Sequence, residues 1–251
     1  MNKVLVTGSE GYIGSKLVDR LEDLNVRNVR IDKVDKKMGL DICDIDIENR
    51  GYDFIFHLAG QSGVPESVDD PIEDARSNIM GTLNIIRLAN ENNARLIFTT
   101  TGAAKGEPES PYGVSNRACE EYIKLLCNDC VILRLSSVYG DKPKGVVDNF
   151  IREEKCVIYG DGEAQRDFVC VDDVVDAIIK SCKVERGSYE IGSGKGVKVK
   201  DIAEATGKKI EYKPTRKGDK KRVVLNNELP GWEPRVDVIN YVKDKCGMLI
   251  S

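Results

Sequence analysis

Short apolar runs alternate with stretches of helical period through the first two thirds of the chain. "KVLVTG" reads as a strand of fully buried type, after which Ile13, Leu17, Leu21 and Leu24 repeat at helical spacing. "NVRID" predicts a second strand with Asp32 at its end, and "YDFIFHLAG" a further one. A helix is expected from about Pro71 to Asn92, then the strand "ARLIFTTT", a helix opened by Ser110 as N-cap with Pro111 in its first turn, and the strand "VILRLSS". Strands alternating with helices need crossover connections, and right-handed crossovers give a parallel sheet covered on both faces. The pattern therefore predicts an α/β fold with a doubly wound parallel sheet. The later chain is less regular: a helix from Asp172 to about Lys183, a returning strand "GSYEIGSGKG", and two weak helical patterns after Lys198 punctuated by "KPTRKGD" and "LPGWEP". These predict a second, smaller α/β lobe, with the core in residues 1–140 and 168–192 and the lobe in 141–167 and 193–251.

Composition narrows the partners. Charged residues are 32% and apolar ones 41% of the 251, with a formal net charge of -4, so a polyanionic partner is not expected. The lysine clusters "DKVDKKMG" and "TRKGDKKR" are interleaved with aspartate and glycine in place of aromatic residues, which argues against nucleic acid. No stretch approaches the roughly 20 apolar residues of a membrane span, and the amino terminus enters a strand pattern at once with no signal-type apolar region. A cytoplasmic protein is expected. Of the eight cysteines only Cys127 and Cys130 form a CxxC, and the sole histidine is His57, so no metal site is expected and the cysteines read as reduced, packed thiols. His57 reads as a packing or capping residue at its strand's end.

The first concentrated chemistry is "VLVTGSEGYIG", which sets Gly8, Gly11 and Gly14 between the first strand and the first helix. Glycines there permit a tight turn and let backbone N–H groups approach a pyrophosphate at the positive end of the helix, the Rossmann arrangement. Asp32, 18 residues beyond Gly14, can accept the hydroxyls of an adenosine ribose and repel a 2'-phosphate, which favours NAD over NADP. Lys33, Lys36 and Lys37 weaken that preference, because a nearby cation offsets the repulsion.

The glycine spacing, with Tyr112 on a later helix, resembles the extended short-chain dehydrogenase/reductase family. More narrowly, "DICD", "FHLAGQSGV", "SNIMGTLNI", "PYGVSN", "YGDGEAQRDFVCVDDVVDA", "YEIGSGKGVKV", "TRKGD" and "GWEPR" are similar to its NAD-dependent nucleotide-sugar epimerases and dehydratases, of the UDP-glucose/UDP-galactose 4-epimerase kind. The resemblance implies cofactor contacts at Gly8, Gly11, Tyr12, Ile13, Gly14 and Asp32, with Asp41 and Ile42 flanking adenine. It implies further ones at Leu58, Ala59, Gly60, Asn78, Thr99, Tyr112 and position 116. It implies 4-epimerisation of a nucleoside diphosphate sugar through a transient 4-keto sugar, with Tyr112 as base and Thr101 sharing the substrate hydroxyl. Ser137, Arg166, Arg216 and Asp219 fall on the substrate side, where either arginine offers forked donors to a diphosphate or holds a carboxylate, Asp167 or Asp219. Asn78 either stands near the reaction or bonds to backbone inside its helix. Ile79, Leu83, Ile86, Ile123 and Leu126 either serve the core or, as in the family, a homodimer's four-helix interface.

One position departs from the family. A lysine is expected four residues after the tyrosine, one turn on and on the same face, where it holds the nicotinamide ribose and acidifies the phenol. This chain has Asn116. A unit charge about 4 Å away at an effective dielectric of about 20 is worth roughly 4 kcal/mol, or about three pKa units. Arg117 leaves the helix on another face, and Lys105 is the candidate replacement. The dehydratases' Asp-Glu pair is replaced by Gly102 and Ala103, the segment between Thr101 and Tyr112 is short at 10 residues, and Ser137 stands where an asparagine is usual. Two readings follow: an active epimerase, or a non-catalytic NAD and nucleotide-sugar-binding protein or partner subunit that has lost the catalytic lysine.

Overall fold

The computed structural model describes residues 3–23, 30–34, 39–44, 51–141, 145–215 and 222–247, with only the backbone of 30–34. The chain runs β1 (Lys3–Thr7), α1 (Tyr12–Asp23), β2 (Arg30–Val34), β3 (Phe54–His57), α2 (Val64–Asp69), α3 (Pro71–Ala75), α4 (Gly81–Asn92), β4 (Arg95–Thr101), α5 (Pro111–Leu126) and β5 (Cys130–Leu135). It continues through β6 (Ser137–Tyr139), α6 (Val146–Arg152), β7 (Lys155–Tyr159), β8 (Gln165–Arg166), β9 (Phe168–Cys170), α7 (Val171–Ser181) and β10 (Gly187–Ile191). The last elements are β11 (Val197–Lys198), α8 (Val199–Ala205), β12 (Lys209–Lys213), β13 (Arg222–Val223) and α9 (Val238–Lys245). Two compact units result: residues 1–134 with 178–189, and residues 135–177 with 190–251.

The first unit is built on a six-stranded sheet ordered β10-β5-β4-β3-β1-β2. β1 pairs in parallel with both β2 and β3, and β3 pairs in parallel with β4. Chain order reverses between β1 and β3, and such a switch point opens a ligand crevice at the carboxyl ends of the strands. Leu5, Ile55, Leu96 and Ile132 from the strands pack with Ile85, Ile86 and Ala89 of α4 and Cys119 and Ile123 of α5 in one cluster. On α1 the repeating Leu17 and Leu21 are buried, as the spacing predicts. The Pro71–Asn92 helix is continuous but holds one π-helical turn, Arg76–Met80, between α3 and α4. No described helix is long and apolar enough to cross a membrane.

Two strand bounds differ from the pattern. β2 begins at Arg30 and places Asp32 in the middle of the strand opposite Leu5, because all five residues of β1 find partners there. "VILRLSS" is not one strand. It breaks at Ser136, whose N–H donates to Ile191 O, while Ser137 N–H donates to Asp167 O and β6 pairs with β9. The second unit has its own core, from Tyr139, Phe150, Cys156, Ile158, Phe168, Ile202 and Val242 among others. Its tail is fastened by "GWEPR": Trp232 Nε1 donates to Asp173 O, and Arg235 to the Asp173 and Asp176 carboxylates.

His57 is fully buried, with Nδ1 against Thr7 Oγ1 at 2.8 Å and Nε2 against Thr82 Oγ1 at 3.0 Å. Burial lowers its pKa from 6.5 to about 3. Below pH 6.5 the unfolded chain takes up a proton that the folded imidazole refuses, so this site removes stability as pH falls from 6.5 towards 3, by about 1.4 kcal/mol per unit. Urea midpoints measured from pH 7 downwards should therefore fall more steeply in the native protein than in His57→Gln.

Candidate active site

The turn after β1 is a cradle in which side chains do not fit. Gly8 has φ +68° and lies so close to the chain after β3 that an added Cβ would stand 2.7 Å from Ala59 N. At Gly14 an added Cβ would stand 2.0 Å from Gly8 O, the oxygen that accepts from Gly11 N–H at 3.0 Å. The turn delivers the chain into α1 at Tyr12, and no acidic side chain occupies the first turn of that helix. The N–H groups of a helix's first turn and its positive dipole end suit an anion. Thr7 Oγ1 accepts from Ala59 N–H, tying the segment Leu58–Gly60 to the end of β1. Gly14→Ala should cost about 1–3 kcal/mol of stability, as overpacking does, and abolish stabilisation by added NAD; paired thermal melts check both.

Tyr112 and Thr101 are brought together. β4 ends at Thr101, whose hydroxyl accepts from Ala103 N–H and so opens a 3₁₀ turn over Gly102–Ala104. Ser110 Oγ accepts from Gly113 N–H, Pro111 occupies the first helical position, and Tyr112 N–H donates to Ser67 Oγ. Gly113 allows the close approach, since a Cβ there would lie 2.8 Å from Ala103 O. The Thr101 side chain lies near enough to the phenol to favour its ionised form. Burial pushes its pKa above 10.0, Thr101 pulls it down, and Asp74 pushes it up again. No cation is among these influences.

Asn116 lies on the same helical face as Tyr112 but turns its amide back on the protein. Nδ2 donates to Tyr112 O at 2.9 Å, and Oδ1 accepts from Thr100 Oγ1 at 3.4 Å. Lys105 is exposed and follows the 3₁₀ turn after β4. Arg117, on another face as expected, donates to Ala104 O and Gly106 O and braces the loop carrying Lys105.

Beside α5 lies a buried polar network that the sequence did not disclose. Asn78, in the π-helical turn, donates from Nδ2 to Asp74 Oδ1 (3.1 Å) and Ser115 Oγ (2.9 Å), and its Oδ1 accepts from Gln61 N–H (2.8 Å). One side chain thus joins the segment after β3, the π turn and α5. Asp74 is 1% exposed, and burial raises its pKa. Below the turn, Glu120 is fully buried in a two-pronged pair with Arg134, fixing α5 to β5. Only the Asx-like spacing of Asp74 and Asn78, four residues apart, could have signalled the network.

The other predicted contacts divide. Asp41 accepts from Arg76 Nη1 and from Cys43 N–H, Ile42 belongs to the core, and Thr99 is half-buried on β4. Ile86 and Ile123 are core, Ile79 and Leu83 pack against it, and Leu126 is exposed. Ser137 and Arg166 lie in the second unit, where Arg166 Nη1 donates to Gln165 O. Asp167 is held by the Ser193 hydroxyl and the N–H groups of Ser193, Gly194 and Leu225. Arg216 and Asp219 fall outside the described residues, as does the Asp32 side chain.

Comparison with known proteins agrees with this geometry. The profile of the NAD dependent epimerase/dehydratase family matches residues 4–192. The UDP-glucose 4-epimerase of Mycolicibacterium smegmatis is 32% identical over 294 aligned residues, covering 93% of this chain and 94% of that protein. That alignment is longer than this chain, so the relative carries insertions that this chain lacks. The Thermotoga maritima UDP-glucose 4-epimerase with UDP-glucose superposes with a TM-score of 0.86 at 31% identity, covering 98% of each chain. The Thermus thermophilus UDP-glucose 4-epimerase in complex with NAD does so with a TM-score of 0.82 at 29% identity, again over 98% of each. With a glycine cradle at the switch point of a parallel sheet and a tyrosine and threonine paired at its carboxyl edge, the chain belongs to the NAD-dependent epimerase/dehydratase family.

Proposed function

We propose that the protein is a 4-epimerase acting on a nucleoside diphosphate sugar. The observation that carries the proposal is the placement of Tyr112, at the start of α5, beside Thr101, at the carboxyl end of β4, in the sheet that also holds the glycine cradle. The cradle fits a dinucleotide: glycine occupies each point where a Cβ would collide, and the helix behind it offers amides with no competing acid. Gly8, Gly11, Tyr12, Ile13 and Gly14 would hold the pyrophosphate, Asp32 the adenosine ribose, and Asp41 and Ile42 the adenine. Leu58, Ala59, Gly60, Asn78 and Thr99 would line the path to the nicotinamide end, and Tyr112 and Asn116 would hold its ribose. Bound NAD supplies the oxidant that removes hydrogen from one sugar carbon and the reductant that returns it.

The chain's own part is proton chemistry and positioning. Tyr112 takes the proton of the sugar hydroxyl and returns it, and Thr101 donates to the sugar oxygen while its own oxygen stays anchored by Ala103 N–H. Asn116 retains one amide N–H beyond its bond to Tyr112 O, enough for a ribose hydroxyl but without charge. Ser137, Arg166, Arg216 and Asp219 are assigned to the sugar-diphosphate. Gly102 and Ala103, which offer no acid or base, disfavour dehydration.

The test is to incubate purified protein with NAD and a panel of UDP- and GDP-sugars, following bound NADH fluorescence and epimer formation. Epimer supports the proposal. Retained NAD with no epimer from any sugar favours the non-catalytic binding protein, which the family relationships do not favour.

A homodimer is also proposed. Ile72 (81% exposed), Leu125 (78%), Met80, Val114, Tyr122 and Leu126 leave apolar surface uncovered around α3, the π turn and α5. Burying one such side chain is worth about 1.5–3 kcal/mol. Ile72→Asp with Leu125→Asp should raise the dimer dissociation constant at least about a hundredfold, read by sedimentation. Eight cysteines outside any disulfide accord with a cytoplasmic setting.

A further inference from the structure

One turn of helix holds both chain segments that follow the strands beside β1. The π-helical turn Arg76–Met80 interrupts an otherwise regular helix, and such insertions are found mostly at functional sites. Asn78 on this turn accepts from Gln61 N–H, in the segment after β3. Arg76, its first residue, reaches the segment 39–44 that follows β2. Its Nη1 donates to Asp41 Oδ2 at 3.1 Å and its Nη2 to Asp44 Oδ2 at 2.5 Å. The backbone of that segment has fastenings that do not use the guanidinium. Asn84 Nδ2 donates to Ile42 O and Cys43 O, and Cys43 Sγ to Arg76 O. Ile42 fills the space over Gly81, where an added Cβ would stand 2.5 Å from Ile42 Cδ1. What the guanidinium adds is the direction of a carboxylate. Cys43 N–H holds Asp41 Oδ1 at 2.9 Å while Arg76 holds Oδ2, so the plane of the group is set from both sides.

We propose that Arg76 is a positioning residue for purine recognition: it keeps the Asp41 carboxylate ionised and turned to accept from the 6-amino group of adenine and to reject a 6-oxo purine. The inference rests on the reading that Asp41 stands at the adenine of bound NAD. An exocyclic amine donates hydrogen to a carboxylate, whereas the 6-oxo group of hypoxanthine presents lone pairs to it and is repelled. A carboxylate held by one N–H alone can turn about its own axis; held at both oxygens it presents one edge. The Asp41 side chain is 23% exposed, so that edge can be reached by a ligand. Arg76 is not placed as a phosphate clamp. Its fork is engaged by Asp41 and Asp44, and Glu73 Oε2 lies 3.7 Å from Nη1, so three carboxylates surround one cation.

The experiment measures binding of NAD and of nicotinamide hypoxanthine dinucleotide to the full chain and its variants by calorimetry. The wild type should bind NAD at least about tenfold more tightly than the hypoxanthine analogue. Arg76→Met keeps the stem and removes the donors; it should weaken NAD about tenfold and leave the analogue within about twofold, so that the preference collapses. Asp41→Asn should lose the preference by itself, and adding Arg76→Met to it should change the ratio of the two affinities by less than about twofold, because Arg76 acts through Asp41. Equal weakening of both dinucleotides by Arg76→Met would make the arginine a fastener of the segment and overturns the proposal. So does a wild type that binds the two equally, a preference retained in Asp41→Asn, or a full effect of Arg76→Met in that background. A wild type that binds neither dinucleotide overturns the cofactor reading itself, and the proposal with it.

Discussion

Tyr112→Phe should lower epimerisation about a thousandfold or more while NAD still binds and the melting temperature hardly moves. The substitution removes one oxygen and leaves the helix start intact: Ser110 still accepts from Gly113 N–H, and the backbone N–H at 112 still donates to Ser67 Oγ. What is lost is the phenol oxygen proposed to take a proton from a sugar hydroxyl, a role the far less acidic Thr101 hydroxyl does not fill. A positioned general base contributes about 10²–10⁴ in rate. The wild-type rate should also climb with pH from neutrality and stay unsaturated at pH 9, because burial and Asp74 together hold the phenol above 10.0. Turnover of Tyr112→Phe within tenfold of wild type, or a flat wild-type profile between pH 7 and 9, contradicts the assignment.

Asn116→Lys should do the opposite. A cation one turn from Tyr112 favours the phenolate by roughly 4 kcal/mol at an effective dielectric of about 20, about three pKa units. Rate near pH 7 should therefore rise by up to about a thousandfold, and the alkaline climb should move down by a corresponding interval. The substitution forfeits the bonds of Asn116 to Tyr112 O and Thr100 Oγ1, a loss of about 1 kcal/mol each, so the variant should be slightly less stable. Kinetics from pH 6 to 10 on both proteins decide the matter. An unchanged profile with the folded state intact would mean that charge at this position does not limit the chain.

The candidate site is legible in the sequence wherever its chemistry is local. The glycine turn and the Ser110–Pro111 helix start each depend on residues close together, and both appear where the pattern puts them. Asn116 was readable as a missing charge, but not as an amide folded back onto its own helix. Arg76, which binds Asp41 from 35 residues away, and Ser67, which receives the Tyr112 N–H, left no signal because their partners are remote in sequence. The same holds for Gln61 N–H, which reaches Asn78 only because Gly60 leaves the space.

Periodicity and turn chemistry by themselves determined a parallel α/β sheet and its glycine cradle, because these follow from short-range sterics and from which faces must be buried, whereas the proton-accepting tyrosine was implied only by the family resemblance. Only the tertiary structure decided where "VILRLSS" breaks, that Asp32 sits inside its strand, that the helix before α4 widens into a π turn, and that Arg95 and Arg186 hold Asp129 and Asn128. Each of those outcomes depends on hydrogen-bond partners and charges contributed by distant segments. Such pairings are won by register and packing, which no local window of sequence contains.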